Sequence, residues 1–369
     1  MDTPAVPRAT FTPSTLRRLR NALLTWYGSS SRDLPWRLTR DPYAILVSEY
    51  MLQQTQVKTV LPYYDAFLSR FPTFEALAAA TDDDVRAAWS GLGYYRRARN
   101  LQAAARRILT ECDGKIPGSY HALLDLPGVG PYTAAALSSL VHGLPRAAVD
   151  GNVERVLSRL VAERRVISES APRKRIASLA QELFDPAHPT IWNQAVMELG
   201  ATVCSPRRPK CGDCPWMHSC QSYGTGNPER LPRTKTERSV TTVERAVGVF
   251  RKDSAVLLVR RSHKTLLDGT WELPGVDVSG TEQSKQDLAE HLKSWLGRTV
   301  TVGSELASIQ HALTYRRVRV RAFEASARPL PRPSKDNRRW VEHVDIDQLP
   351  TSSMTLKLLA KLAGHAQAG

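Results

Sequence analysis

A tight glycine turn between two helical runs restricts this chain more than any other stretch. It reads Leu126-Pro127-Gly128-Val129-Gly130-Pro131-Tyr132, with a short apolar run from Leu123 before it and Thr133-Ala134-Ala135-Ala136 after it. The pattern predicts a helix-hairpin-helix over about residues 119–142. Gly128 and Gly130 leave backbone N–H groups exposed at the start of the second helix, where a phosphate can bind. Pro131 costs nothing there, because the first N–H of a helix has no partner inside it. Nearly twenty residues on, Ala148-Val149-Asp150-Gly151-Asn152 precedes another helical stretch. A carboxylate can therefore be held beside whatever backbone the hairpin grips. The glycines alone also fit a Gly-Pro turn in any helical protein, so the rest of the chain has to decide.

At 369 residues the chain exceeds one average domain. Its formal net charge of +15 suits a polyanionic partner, nucleic acid more readily than membrane. No apolar run is long enough to span a bilayer. Met1 to Phe11 has neither the basic start nor the apolar core of a signal peptide. The expectation is a cytoplasmic, nucleoid-associated bacterial protein that works as a monomer.

Up to residue 223 the pattern is helical. Ser14 can cap a helix carrying Leu16, Leu19, Leu23 and Trp26 on one face. A loop from Gly28 to Pro42 follows, and further helices are expected over Tyr43–Thr55, Val57–Phe71, Thr73–Ala79, Asp82–Ser90 and Arg96–Glu111. Residues 224–242 are polar and contain Pro and Gly, the composition of a linker. Beyond it the period changes. Ala246–Phe250 and Ala255–Arg260 read as strands, and Val318 and Val320 alternate with Arg317, Arg319 and Arg321. Leu288, Leu292, Trp295 and Leu296 form a helical stripe, and Met354–Leu362 reads as a second helix. The fold class expected is a mainly α N-terminal region, residues 1–223, followed by a smaller α+β domain over 243–369.

Five cysteines in a reducing compartment argue against disulfides. Cys112, alone on an expected helix, reads as a buried small apolar residue. The other four, Cys204, Cys211, Cys214 and Cys220, fall in one short window. Four thiolates hold either zinc or a [4Fe-4S] cluster, and zinc ribbons usually present two close pairs where this window has one.

Leu-Pro-Gly-Val-Gly, the Val-Asp-Gly-Asn at 149–152 and this cysteine spacing together resemble the helix-hairpin-helix DNA glycosylases related to endonuclease III. The resemblance implies a [4Fe-4S] cluster on the four cysteines, with Arg207, Arg208 and Lys210 as a basic knuckle for phosphate. Leu34-Pro35-Trp36-Arg37 and the run from Asp41 to Val57, with Glu49 and Gln53-Gln54 inside it, resemble the MutY-type adenine DNA glycosylases. Those enzymes remove adenine mispaired with 8-oxoguanine or guanine in double-stranded DNA. Glu49 lies among apolar neighbours, and a carboxyl in such a pocket has a raised pKa and can act as a general acid. Bifunctional relatives carry a lysine nucleophile just after the hairpin; here Pro131-Tyr132 stands there, which implies a monofunctional glycosylase.

The resemblance assigns catalysis to Glu49, Asp150, Tyr132 and Asn152. It gives the adenine pocket to Leu34, Trp36, Arg37 and Gln194. Gln54 and Tyr94 would fill the base stack, Tyr94 standing on the glycine turn Gly91-Leu92-Gly93 that also carries Tyr95. Gly269 to Gly275 resembles the Nudix-like domain of the same family, here without the run of glutamates that a hydrolase needs for Mg²⁺. That domain should bind 8-oxoguanine through His311-Ala312-Leu313-Thr314-Tyr315, where the family often has Phe-Ser-His in place of Leu313-Thr314-Tyr315. The alternative is an endonuclease III-type glycosylase and lyase acting on oxidised pyrimidines.

Overall fold

In this computed structural model the described residues are 10–235, 241–261, 269–280, 283–313, 316–334 and 337–366. Contacts group the chain into two compact units, Met1–Glu49 with Arg107–Glu237, and Tyr50–Arg106 with Arg238–Gly369.

The first unit opens with α1 (Pro13–Ser30), α2 (Pro35–Leu38) and most of α3 (Pro42–Leu52). Thr12, not Ser14, caps α1: its side chain accepts from the Thr15 N–H, and Ser14 lies inside the helix. Pro13 explains the shift, because proline favours the first turn and the residue before it then takes the cap. The second unit takes α4 (Val57–Arg70), α5 (Phe74–Ala79), α6 (Asp82–Ala88) and most of α7 (Arg96–Glu111). Thr73 and Thr81 cap α5 and α6 through their hydroxyls. Cys112 lies one residue past α7 and is half-buried, so its surroundings are wetter than the sequence implies.

The first unit resumes with α8 (Tyr120–Leu124), α9 (Pro131–Leu140), α10 (Gly151–Leu160), α11 (Ser170–Leu183), α12 (Pro189–Thr202) and α13 (Gln221–Gly224). Leu19 and Leu23, one turn apart on α1, are buried with Val153, Val156, Leu157 and Leu160 of α10 and Trp192 of α12. This core fixes α10 and α12 side by side, and both carry residues of the candidate site. The Ile167 N–H donates to the Arg233 carbonyl at 2.9 Å, so the chain stays attached to this unit through Arg233.

The C-terminal part of the second unit contains β1 (Thr241–Val249), β2 (Arg251–Lys252), β3 (Ala255–Arg260), β4 (Trp271–Glu272) and β5 (Gly275–Val278). Then come α14 (Ser284–Leu296), β6 (Thr301–Leu313), β7 (Arg316–Ser326), β8 (Arg338–Glu342) and α15 (Ser353–Ala366). One sheet has the order β5-β1-β7-β6, with β1 and β7 parallel. The other has the order β2-β3-β4, with β8 also on β3. Side chains alternate along β1. Val247 and Val249 join the core of Met354, Leu358 and Leu362 from α15, whereas Ala246 joins Leu288 and Leu292 from α14. Val318 and Val320 are buried and Arg317 and Arg319 exposed, as their alternation predicts. Trp295 departs from the stripe. It is 37% exposed, with the Arg338 guanidinium 5.5 Å from its ring, while Leu288, Leu292 and Leu296 face the core.

Gly275 lies where β5 pairs with β1, opposite Val247, and a Cβ there would fall 2.3 Å from the Ala246 carbonyl oxygen. Backbone cannot retreat as a side chain would. Gly275→Ala should therefore destabilise the protein by roughly 1–3 kcal/mol, the range for overpacked sites, read as a lower melting temperature.

Candidate active site

Glu49 owes its environment to the composition of α3. Asp41 starts the helix by accepting from the Tyr43 and Ala44 N–H groups at 3.0 and 3.3 Å. From Tyr43 to Met51 every residue is buried, so the helix is apolar on all sides apart from Ser48 and Glu49. Ser48 is satisfied by donating to the Ile45 carbonyl at 2.8 Å. Glu49 is 4% exposed; its carboxyl hydrogen-bonds with Tyr132, and its Oε2 has no hydrogen-bond partner. Burial disfavours the charged form and raises this carboxyl to about 7. The Tyr132 hydrogen bond opposes that rise, and the nearby Asp150 charge adds to it.

Tyr132 comes from the hairpin. Ser119 caps α8, Gly128 turns the chain with φ of +82°, and Gly130 caps α9 with Pro131 in its first turn. This geometry sets the second residue of α9 beside α3 and α12, where the Tyr132 hydroxyl oxygen also lies 3.2 Å from Met197 Sδ. Burial, with the Glu49 and Asp150 charges, pushes the phenol well above its ordinary value and keeps it neutral.

Asp150 is the N-cap of α10. Its Oδ1 accepts from the Val153 N–H at 2.7 Å and its Oδ2 from Asn152 Nδ2 at 2.9 Å. Burial raises the Asp150 carboxyl, while these donors and the Arg155 charge hold the rise back. Arg155 continues the network. One Nη2 donates to Asn152 Oδ1 at 2.9 Å and to the Gly200 carbonyl at 2.7 Å, and Nε donates to the Cys204 carbonyl at 2.8 Å. A Cβ on Gly200 would lie 2.7 Å from Asn152 Cβ, so only glycine lets α12 approach α10 here. Glu49, Tyr132, Asp150 and Asn152 are thus gathered into one site from three helices.

Cys204 begins a second site. Cys204, Cys211, Cys214 and Cys220 line one cavity with Val156, Leu160, Leu199, Val203 and Trp216. The loop around it is held by buried Arg159, whose Nη1 donates to Cys204 Sγ at 3.4 Å and to the Ser205 carbonyl at 2.7 Å. Trp216 Nε1 donates to the Leu19 carbonyl at 2.9 Å and pins the loop to α1. Burial pushes the Cys214 thiol up to about 12 and raises Cys211 and Cys220, as four sulfurs facing an apolar cavity require unless a cationic group joins them. Among the described residues no three His, Cys, Asp or Glu side chains form a group suited to a single metal ion. Four thiols round one cavity fit a multi-atom cluster.

Leu34 and Trp36 are buried at the start of α2. Arg37 and Gln194 meet through partners that sequence reasoning missed. Tyr27 donates its hydroxyl to Gln194 Oε1 at 2.9 Å, and the Arg37 guanidinium lies 5.5 Å from the Tyr27 ring. Fully buried Glu198 binds Arg32 at 2.7 Å and Arg37 at 2.8 Å. Burial works to raise the Glu198 carboxyl, but the two arginines outweigh it and hold it low. The signal for Glu198 and Arg155 was faint: each is a charge on the inward face of a helix. Gln54 and Tyr94 belong to the second unit, both exposed and both left-handed, with φ of +58° and +50°. Tyr95 is buried and so differs from Tyr94. Leu313 ends β6, and Thr314 and Tyr315 lie outside the described residues.

A glycine hairpin, a buried Glu and a half-buried Asp against it, and a four-cysteine cavity define a DNA-repair glycosylase of the helix-hairpin-helix class. Residues 47–186 match the HhH-GPD superfamily base excision DNA repair proteins, 204–220 the iron-sulfur binding domain of endonuclease III, and 246–361 the NUDIX domain. Adenine DNA glycosylase of Mus musculus is 34% identical over 407 residues, covering 94% of this chain and 78% of its own. That of Mycolicibacterium smegmatis is 40% identical over 229 residues, 61% of this chain and 76% of its own. For the Homo sapiens protein the identity is 37% over 333 residues, 75% of this chain; the match spans 61% of the human chain. A thermostable thymine-DNA glycosylase superposes with a TM-score of 0.52 at 32% identity, over 57% of this chain and 98% of that one. A trapped endonuclease III–DNA intermediate shares the fold at 22% identity and a TM-score of 0.51. The chain belongs to the adenine DNA glycosylase family, whose members are DNA N-glycosylases. Its four cysteines are the site of a [4Fe-4S] cluster.

A buried acid has a thermodynamic signature. The folded state raises Glu49 from 4.5 to about 7, so it costs nothing below the unfolded pKa and its cost grows until pH passes 7. Glu49→Gln should therefore be more stable than the parent at pH 8 by roughly 2–3 kcal/mol, with the gap closing towards pH 4.5 in urea melts.

Proposed function

We propose that this chain is a monofunctional glycosylase that flips adenine out of duplex DNA, where it is mispaired with 8-oxoguanine or guanine, and hydrolyses its N-glycosidic bond. The observation that carries the reading is Glu49: a buried carboxyl raised to about 7, with Oε2 unpartnered. Adenine leaves poorly as an anion, so Glu49 protonates it at N7 as the glycosidic bond breaks. The sugar becomes oxocarbenium-like, and ionised Asp150, held by Val153 and Asn152, stabilises it. Neutral Tyr132 orients Glu49, which then takes a proton from the water that attacks the sugar carbon.

The target base must leave the stack first. Gln54 and Tyr94 would occupy or prop the gap, and Leu34, Trp36, Arg37 and Gln194 would form the adenine pocket. Gly128 and Gly130 present backbone N–H groups to phosphate. The C-terminal domain, 243–369, would read the opposite base through the segment ending at Leu313-Thr314-Tyr315, joined to the helical region 1–223 by residues 224–242. The cluster on the four cysteines would anchor the loop that carries Arg207, Arg208 and Lys210. No helix among the described residues is long and apolar enough to cross a membrane. The reading takes the protein to act as a monomer beside the nucleoid.

Three duplexes test it, carrying adenine opposite 8-oxoguanine, adenine opposite guanine, and thymine glycol opposite adenine. The expected result is release of adenine from the first two, faster from the first, with strand breakage only after alkali. Nicking of the third without alkali would instead mark an endonuclease III-type lyase, against which Pro131-Tyr132 speaks.

The acid role fixes a pH dependence. Single-turnover excision should fall about tenfold per pH unit above about 7, as Glu49 loses its proton. Glu49→Gln should bind the mispair and cut base release by roughly a thousandfold. Asp150→Asn, which keeps the cap but not the charge, should lose about two to three orders of magnitude in excision rate. Normal excision by either variant would remove that residue from the mechanism.

A further inference from the structure

Within the second unit, the turn that carries Tyr94 is bonded to the C-terminal domain at Thr351. Ser90 Oγ donates to the Thr351 carbonyl at 2.7 Å and accepts from the Thr351 N–H at 3.2 Å. Tyr95, 6% exposed, donates its hydroxyl to the same carbonyl at 2.6 Å. Arg260 of β3 reinforces the junction with an ion pair to Asp83 of α6 at 2.5 Å. Thr351 is fully buried and bridges to Trp271 of β4, whose N–H donates to the Pro350 carbonyl at 2.8 Å.

Two residues on, Ser353 opens α15, and its hydroxyl lies 3.5 Å from Nε2 of His311. His311 is the first residue of the segment read above as facing the opposite base. Ser352 between them is buried and accepts from the Thr355 N–H at 3.1 Å, which stiffens the link as a helix cap.

On the other side of the turn, buried Arg97 donates through Nη1 to the carbonyls of Met51 at 2.7 Å and Gln53 at 2.6 Å. Through Nη2 it donates to the carbonyl of Gly93 at 3.0 Å. Its guanidinium also lies 5.6 Å from the Tyr94 ring. Gln53 and Gly93 immediately precede the left-handed residues Gln54 and Tyr94. One cation therefore holds both turns as a single two-pronged element. A left-handed φ at a residue other than glycine persists only where its surroundings impose it.

We propose that Thr351–Ser353 is a relay: contact of the His311 segment with the opposite base is passed through these three residues to the Gln54 and Tyr94 prongs. The proposal rests on the function given above, in which that segment meets 8-oxoguanine and the prongs enter the stack. Ser90, Tyr95 and Ser353 act as positioning residues. A correct opposite base stabilises one placement of the start of α15, and its carbonyl at Thr351 then fixes the prongs in the placement that opens the helix. Lesion identity is thereby converted into base flipping, with no direct contact between the lesion and the flipped adenine.

The test uses the full chain with its cluster, comparing the parent, Ser90→Ala/Tyr95→Phe and Ser353→Ala. Single-turnover excision is measured on adenine opposite 8-oxoguanine and opposite guanine. Flipping is followed by fluorescence of a 2-aminopurine placed at the target position. The relay predicts that both variants lose roughly fivefold or more of the preference for 8-oxoguanine, with slower fluorescence rise on that duplex only. Excision opposite guanine should change by less than about twofold, because no catalytic group has moved. Variants that keep the parent's preference, or that slow both substrates equally, would overturn the relay. A parent with no preference for 8-oxoguanine would overturn the functional reading, and the relay with it.

Discussion

Desolvation of one carboxyl governs the candidate active site. Glu49 sits on a helix whose other buried residues are apolar or satisfied locally, and water is excluded from around it. Raising that group to about 7 costs stability at neutral pH, and the rest of the site is arranged to contain the cost. Tyr132 offers a hydrogen bond, the hairpin sets where Tyr132 stands, and Asp150 is kept close to donors of its own. The two carboxyls differ in their donors as well as in their depth. Asp150 has a helix N-terminus and an amide; Glu49 has one phenol. Unequal donors and unequal burial are what let two carboxyls a short way apart differ in acidity.

The second dependence runs through arginines. Arg155 joins the amide that supports Asp150 to the carbonyl of Cys204, and Arg159 closes the loop round the same cysteine. A cavity of four thiols and the Asp150 carboxylate thus share one hydrogen-bonded frame within the first unit. Glu198 does similar work on the other side of α12 by holding Arg32 and Arg37. In each case a buried charge is met by several partners at once, which is the condition for such a group to stabilise a fold rather than weaken it.

Much of this was legible in the chain. The helical expectations from Val57 to Glu111 match within a residue or two, because proline, glycine and threonine caps mark their ends. The hairpin and the alternating strand at Val318 and Val320 follow from local pattern. The family motifs named Glu49, Asp150 and the cysteines. What stayed hidden depends on partners far away in sequence. Trp295 belongs to an apolar stripe yet faces out, where an arginine on a strand, Arg338 of β8, covers it. Arg155, Glu198 and Arg97 look like ordinary surface charges until neighbouring helices bury them. Arg97 is the hardest case, since the groups it grips are backbone carbonyls, which any sequence supplies.

That last feature separates two properties that usually change together. A clamp made to side chains would tie the identity of each neighbour to its position. Arg97 grips the peptide backbone at Gln53 and Gly93, so residue 54 is held in space without being chosen by the clamp, whereas the ring of Tyr94 also faces the guanidinium. Under the proposed function, substitutions at 54 could then alter what is inserted into a base stack while leaving where it enters unchanged. Over evolutionary time such a mounting lets the probe be retooled on a fixed seat.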